Sequence, residues 1–208
     1  MEVLVKAFRK HLDLKRVKYE NIVKRNFEVY KEIETEYNSD NLFEEEIKVF
    51  NSNFISKIER GVLIRKIFAE NSKIILKFNC DFCIVYDEIY SKGNVEYNVF
   101  GKVKKAYHYF KLIPLENSSV TSKVRNFVEK SLVSIGSIYI PKDSLNSFGS
   151  MEKLFLLKEG ASLVSFPILD VENSSSKAFH SSKTLKIEDE AIFFLKLKGL
   201  SDSRIKKL

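Results

Sequence analysis

A chain of 208 residues, 44% hydrophobic and 30% charged, is long enough for one domain with a buried core, which excludes wholesale disorder. No apolar run approaches the roughly 20 residues that cross a bilayer. Lys6, Arg9 and Lys10 interrupt Val3–Phe8 before a signal-peptide core can form, so a soluble cytoplasmic protein with no membrane contact is expected. The net charge of +7 is diffuse: 12 basic and 12 acidic side chains in residues 1–60, 8 and 5 in 61–110, 15 and 11 in 111–208. Such an excess permits weak contact with nucleic acid or an acidic partner without requiring it.

Residues 1–60 read as an N-terminal helical segment. Tyr19, Val23, Phe27, Tyr30, Ile33 and Tyr37 recur at three- or four-residue steps, the spacing of one apolar helix stripe, with no Gly or Pro before Gly61. Tyr37-Asn38-Ser39-Asp40 breaks the pattern, and Asn41 with Glu44 offers a capping box for a second helix. From Gly61 the period changes. Val62–Ile64, Ile74–Leu76, Cys83–Tyr86, Val95–Phe100 and Leu132–Ile140 are short β-rich runs separated by Asn, Ser, Gly or Lys. Residues 61–182 are therefore expected to form a β core: a sandwich, a barrel or a stacked solenoid, among which no clean repeat period chooses. Residues 183–208 return to helix. Glu188, Asp189 and Glu190 suit a helix N-terminus, Lys196 and Lys198 the last turn and Gly199 a C-cap, with Ser201 capping a second short helix.

The chain has no Walker A loop, no G-x-G-x-x-G and no H-E-x-x-H. Cys80-Asp81-Phe82-Cys83 is a lone C-x-x-C without a second pair, too few cysteines for a disulfide scaffold and consistent with a reducing compartment. On a strand its two thiols would point to opposite faces, which disfavours chelation by one chain. Of the three histidines, His11 falls on the predicted N-terminal helix. His108 lies in the basic, aromatic stretch Lys104–Tyr109, where a solvated face alternating with a core face is the simplest reading. His180 stands in a predicted turn between the last strand and the C-terminal helices.

Leu154–Ala161, Phe166–Asn173, Ala178-Phe179-His180-Ser181-Ser182, Ile187–Glu190 and Ile192–Ser201, in that order and spacing, resemble a signature of the SufB/SufD family. The resemblance implies a right-handed parallel β-helix flanked by helical segments and a non-catalytic scaffold role in iron–sulfur cluster assembly. It implies as partners a SufC-type ABC ATPase, a second SufB/SufD-like protomer and a cysteine desulfurase. By the same resemblance His180 lies at the pairing interface as a ligand to a transient cluster; the C-x-x-C spacing makes Cys80 and Cys83 remoter metal candidates. Phe193, Phe194, Leu195, Gly199 and Leu200 then belong to the segment that docks the ATPase. The chain departs from the family pattern in being about half the usual length, in having no cysteine after Cys83, and in placing Phe179 and Ser181 where glutamates flank the histidine. In the solenoid, Ile74, Leu76, Val85, Ile138, Leu156 and Ile168 are expected to face the core. The competing readings are a basic β-solenoid that binds nucleic acid or an acidic protein, and an unrelated β-rich enzyme with a cleft site.

Overall fold

The computed structural model describes residues 19–187, which form nine strands: β1 (Ile22–Val29), β2 (Ile33–Phe50), β3 (Asn53–Glu70), β4 (Lys73–Lys92), β5 (Asn94–Pro114), β6 (Ser119–Ile140), β7 (Phe148–Lys158), β8 (Ser162–Val171) and β9 (Lys177–Ile187). All pairings are parallel, in the order β1-β2-β3-β4-β5-β6-β7-β9, with β8 on β6. Consecutive strands that pair in parallel without an intervening helix must climb as a coil, so the fold is a parallel β-solenoid. Strands β2 to β6, of 18 to 22 residues, each make one rung. Each bends midway, where the pairing register slips or, in β6, passes from β7 to β8. The two halves then face one another, as side-chain bonds across the interior from Arg65 to Ser56 and between Tyr97 and His108 show.

The turns between rungs share one chemistry. Asn51, Asn71, Gly93, Asn117 and Asn146 all take positive φ, the left-handed conformation that Gly and Asn tolerate best. A serine follows four of them, and the hydroxyls of three, Ser72, Ser118 and Ser147, bond along the stack. Ser72 Oγ bonds the carbonyl of Glu70 at 2.6 Å and receives the N–H of Ser52 at 3.2 Å. Ser118 receives the N–H of Gly93 at 3.0 Å, and Ser147 Oγ reaches back to Leu115 O at 2.6 Å. This Asn-Ser recurrence is the repeat that hydrophobic patterning alone did not reveal.

The N-terminal helical expectation is overturned for residues 22–60, which are already solenoid, and residues 1–18 lie outside the described residues. Val23 and Phe27 pack against the core from β1. Their four-residue spacing fits a helix, but it equally fits a strand in which the inward position between them, Arg25, is polar. The same interruption recurs as Phe43-x-Glu45-x-Ile47 and Leu63-x-Arg65-x-Ile67, and it hid the two-residue period. Of the predicted core residues, Ile74, Leu76, Val85 and Ile138 are fully buried. Leu156 and Ile168 instead face outward, one residue out of phase with the inward Phe155, Leu157 and Leu169. Residues 183–187, expected to be helical, belong to β9, and the helices expected after them lie outside the described residues.

Candidate functional site

The interior carries a polar spine. Parallel register stacks Arg25, Glu45, Arg65 and Asp87 in one inward column, on four successive rungs and with alternating sign. Arg65 and Asp87 are fully buried and joined by two bonds of 2.7 Å, the bidentate geometry in which guanidinium and carboxylate match best. The third guanidinium nitrogen, Nη1, donates to Ser56 Oγ at 2.7 Å, and the Tyr97 hydroxyl donates to Asp87 Oδ2 at 2.6 Å. Burial opposes the charge on Arg65, but Asp87 more than compensates and holds its pKa above the ordinary value. Burial, with the Asp87 charge beside it, pushes Tyr97 well up.

One rung on, His108 lies 3.0 Å from the Tyr97 hydroxyl through Nε2 and stacks on Phe110. Burial lowers its pKa to about 3, so it is neutral at physiological pH. Because the Tyr97 proton serves Asp87, Nε2 is the donor nitrogen and Nδ1 carries a lone pair, left without a partner. His108 is thus an interior residue, not part of an exposed base-stacking surface. A second bond closes the column near its start: Tyr37 donates to Glu45 Oε2 at 2.7 Å.

The C-terminal end is open. Among the described residues β8 pairs only with β6 and β9 only with β7, so each leaves one edge of backbone donors and acceptors unpaired. Large exposed apolar side chains gather on the same two strands: Val164, Phe166 and Ile168 on β8, Phe179 and Leu185 on β9. His180 lies here, exposed on β9 opposite Met151, and in a strand rather than the predicted turn. Its inward column continues down through Met151 and Ser122 to Tyr97.

Cys80 and Cys83 are elsewhere, on β4. Both face the core, 4% and 0% exposed, and are joined as a disulfide. The expectation of opposite faces fails because the chain bends between them: Cys80 pairs with Val103 and Phe82 with Lys105, while Asp81 is left out of register. Among the described residues no cluster of three His, Cys, Asp or Glu side chains could hold a metal ion. His11 and the predicted ATPase-docking residues Phe193, Phe194, Leu195, Gly199 and Leu200 lie outside the described residues. No helix among the described residues is long and apolar enough to cross a membrane.

The buried spine and the unpaired terminal strands define a class: a parallel β-solenoid with an edge available for strand addition. Residues 129–208 match the family described as SUF system FeS cluster assembly, SufBD core domain. This part of the chain is similar to that family, whose description is of iron–sulfur cluster assembly by the SUF system. No curated protein matches it. The matched segment begins near the midpoint of β6 and takes in β7, β8 and β9, so family and open end coincide.

Proposed function

We propose that the protein is a non-catalytic scaffold that pairs through its C-terminal rungs with a second SufB/SufD-like protomer and works with a SufC-type ATPase and a cysteine desulfurase. The observation that carries this reading is the coincidence of the SufBD match with the two unpaired strand edges and their exposed apolar side chains. Strand addition satisfies the open backbone groups, and Phe166, Val164 and Phe179 supply apolar area for the join. The nascent cluster is the cargo. His180 offers one imidazole, a suitable borderline ligand for iron. Among the described residues no thiolate or carboxylate stands with it in a ligand cluster, and in this reading the remaining ligands come from across the interface. Phe193, Phe194, Leu195, Gly199 and Leu200 are assigned by resemblance to ATPase contact.

The nucleic-acid reading gains no comparable support. Several lysines of the solenoid surface are paired across rungs, Lys57 with Glu36 at 3.1 Å, Lys73 with Glu96 at 3.1 Å and Lys102 with Glu129 at 2.9 Å, instead of forming an unopposed basic stripe.

Co-expression with the cognate ATPase, desulfurase and second protomer, followed by anaerobic iron and sulfide loading, tests the proposal. Wild-type protein should co-purify with the ATPase and develop iron–sulfur absorbance. His180→Ala should keep the complex and lose most of that absorbance. A wild-type chain that binds neither protomer nor ATPase overturns the partner assignment, and unchanged absorbance in His180→Ala overturns the ligand.

A further inference from the structure

The interior changes character along the axis. On the N-terminal rungs the polar spine is largely bonded within itself, through Tyr37–Glu45 and Arg65–Asp87–Tyr97. On rungs β5 to β8 it is not. The buried side-chain atoms His108 Nδ1, Ser122 Oγ, both amide atoms of Asn126, Ser134 Oγ and Ser165 Oγ have no partner. All stand at inward positions of the parallel register, and His108, Ser134 and Ser165 occupy one column.

Into this region β7 projects Lys153, 1% exposed. Its ammonium donates to Ser134 O at 3.1 Å and Phe166 O at 3.3 Å and lies 5.4 Å from the Phe110 ring centre. Among the described residues no carboxylate pairs with it, in contrast to Arg65 with its Asp87. Burial alone lowers its pKa to about 8, with no opposing charge to raise it. The position is built for this side chain. A Cβ on Gly136 would overlap Phe110, Met151 and the Lys153 stem, so glycine there clears the path of the lysine.

Two carbonyls take two of the three ammonium protons. They belong to Ser134 and to Phe166, the residue after Ser165, so both orphaned hydroxyls sit beside the peptide units that hold the charge. The ammonium has no carboxylate beside it and the two hydroxyls have no partner, while the unpaired acceptors of this interior, His108 Nδ1 and Asn126 Oδ1, are neutral and supply no countercharge. Leaving such groups unbonded costs far more than pairing them. We infer that Lys153, Ser134 and Ser165 form an internal site for a small monovalent anion of halide size. The third ammonium proton and the two hydroxyls point their donors at the ion, which supplies the missing countercharge. The inference stands independently of cluster assembly.

Thermal unfolding of the full chain tests it, with sodium bromide titrated against sodium gluconate at constant ionic strength, gluconate being too large to enter. Wild type should show a saturable bromide-dependent rise in midpoint that Lys153→Met lacks. Lys153→Met should fold without bromide, since it removes an uncompensated buried charge. Ser134→Ala/Ser165→Ala keeps the lysine and should raise the half-saturating concentration about tenfold or more. Bromide-grown crystals should show an anomalous peak at hydrogen-bonding distance from Lys153 Nζ. The absence of a saturable rise in wild type overturns the site, as does the same rise in Lys153→Met. Should Lys153→Met fail to fold, an unchanged half-saturation in the double serine variant does so.

Discussion

Arg65 carries a full charge inside the solenoid, and its stability rests on having its bonds met on several sides. Asp87 takes two of them, Ser56 a third, and Tyr97 completes the carboxylate. Removing one member leaves the other ion buried and unpaired, whereas removing both leaves a hydrophobic column continuous with Phe110. Arg65→Met should therefore cost about 3–5 kcal/mol in urea unfolding, as breaking a buried pair typically does. Arg65→Met/Asp87→Leu should recover most of that loss. A double variant as unstable as the single one would show that the pair contributes more than its own neutralisation. The alternating signs of Arg25, Glu45, Arg65 and Asp87 also give each rung a preferred neighbour, because a slip by one rung would set like charges face to face.

Each strand becomes a rung through its bend and its turn. At the bend of β5, Gly101 adopts φ 136°, and a Cβ added there would overlap the Phe78 carbonyl of the rung below. Both the backbone conformation and the close approach require glycine. Gly101→Ala should destabilise by about 2 kcal/mol or more in chemical unfolding. Gly160→Ala is the control: it shares a positive φ of 74° but has nothing within 4 Å, so its smaller loss would isolate the backbone contribution. If the two lose equally, the contact with Phe78 is irrelevant. The Asn-Ser turns were legible as turn signals one by one. Their meaning as a repeat was not, because rungs lengthen from 18 residues in β2 to 22 in β6 and blur the period. Aligning the sequence on the turn residues Asn51, Asn71 and Gly93 brings Glu45, Arg65 and Asp87 to matching places, a signal that apolar periodicity could not supply.

At the scale of the molecule, stability is set by how many neighbours each rung has. Strands β3 to β6 are paired on both sides along most of their length, while β8 and β9 are paired on one side among the described residues. Amide hydrogen exchange should accordingly be slowest in β4 and β5 and fastest in β8 and β9, with protection of the last two rising when the second protomer binds. Uniform protection along the axis would mean that the solenoid opens as one unit and that the terminal edges are not free to accept a partner strand.

The residue order of Leu154–Ser201 by itself carried the family resemblance, and short β-rich runs that cannot bury a face alone argued for stacking. Those inferences hold because they depend on local composition and order. The identity of residues 22–60 depended on something else. A four-residue apolar spacing fits helix and strand alike, and only the stacking of Arg25 under Glu45 and Glu45 under Arg65 decides for the strand, by giving the intervening charges buried partners. The same holds for the two cysteines, which a bend turns to one side. It holds also for Lys153, which in sequence is one lysine beside a glutamate and in the fold is a buried cation held by carbonyls of two other strands. Sequence sets what each side chain can do. Which groups share an interior column is fixed by rung register, a property of contacts some twenty residues apart that no local pattern encodes.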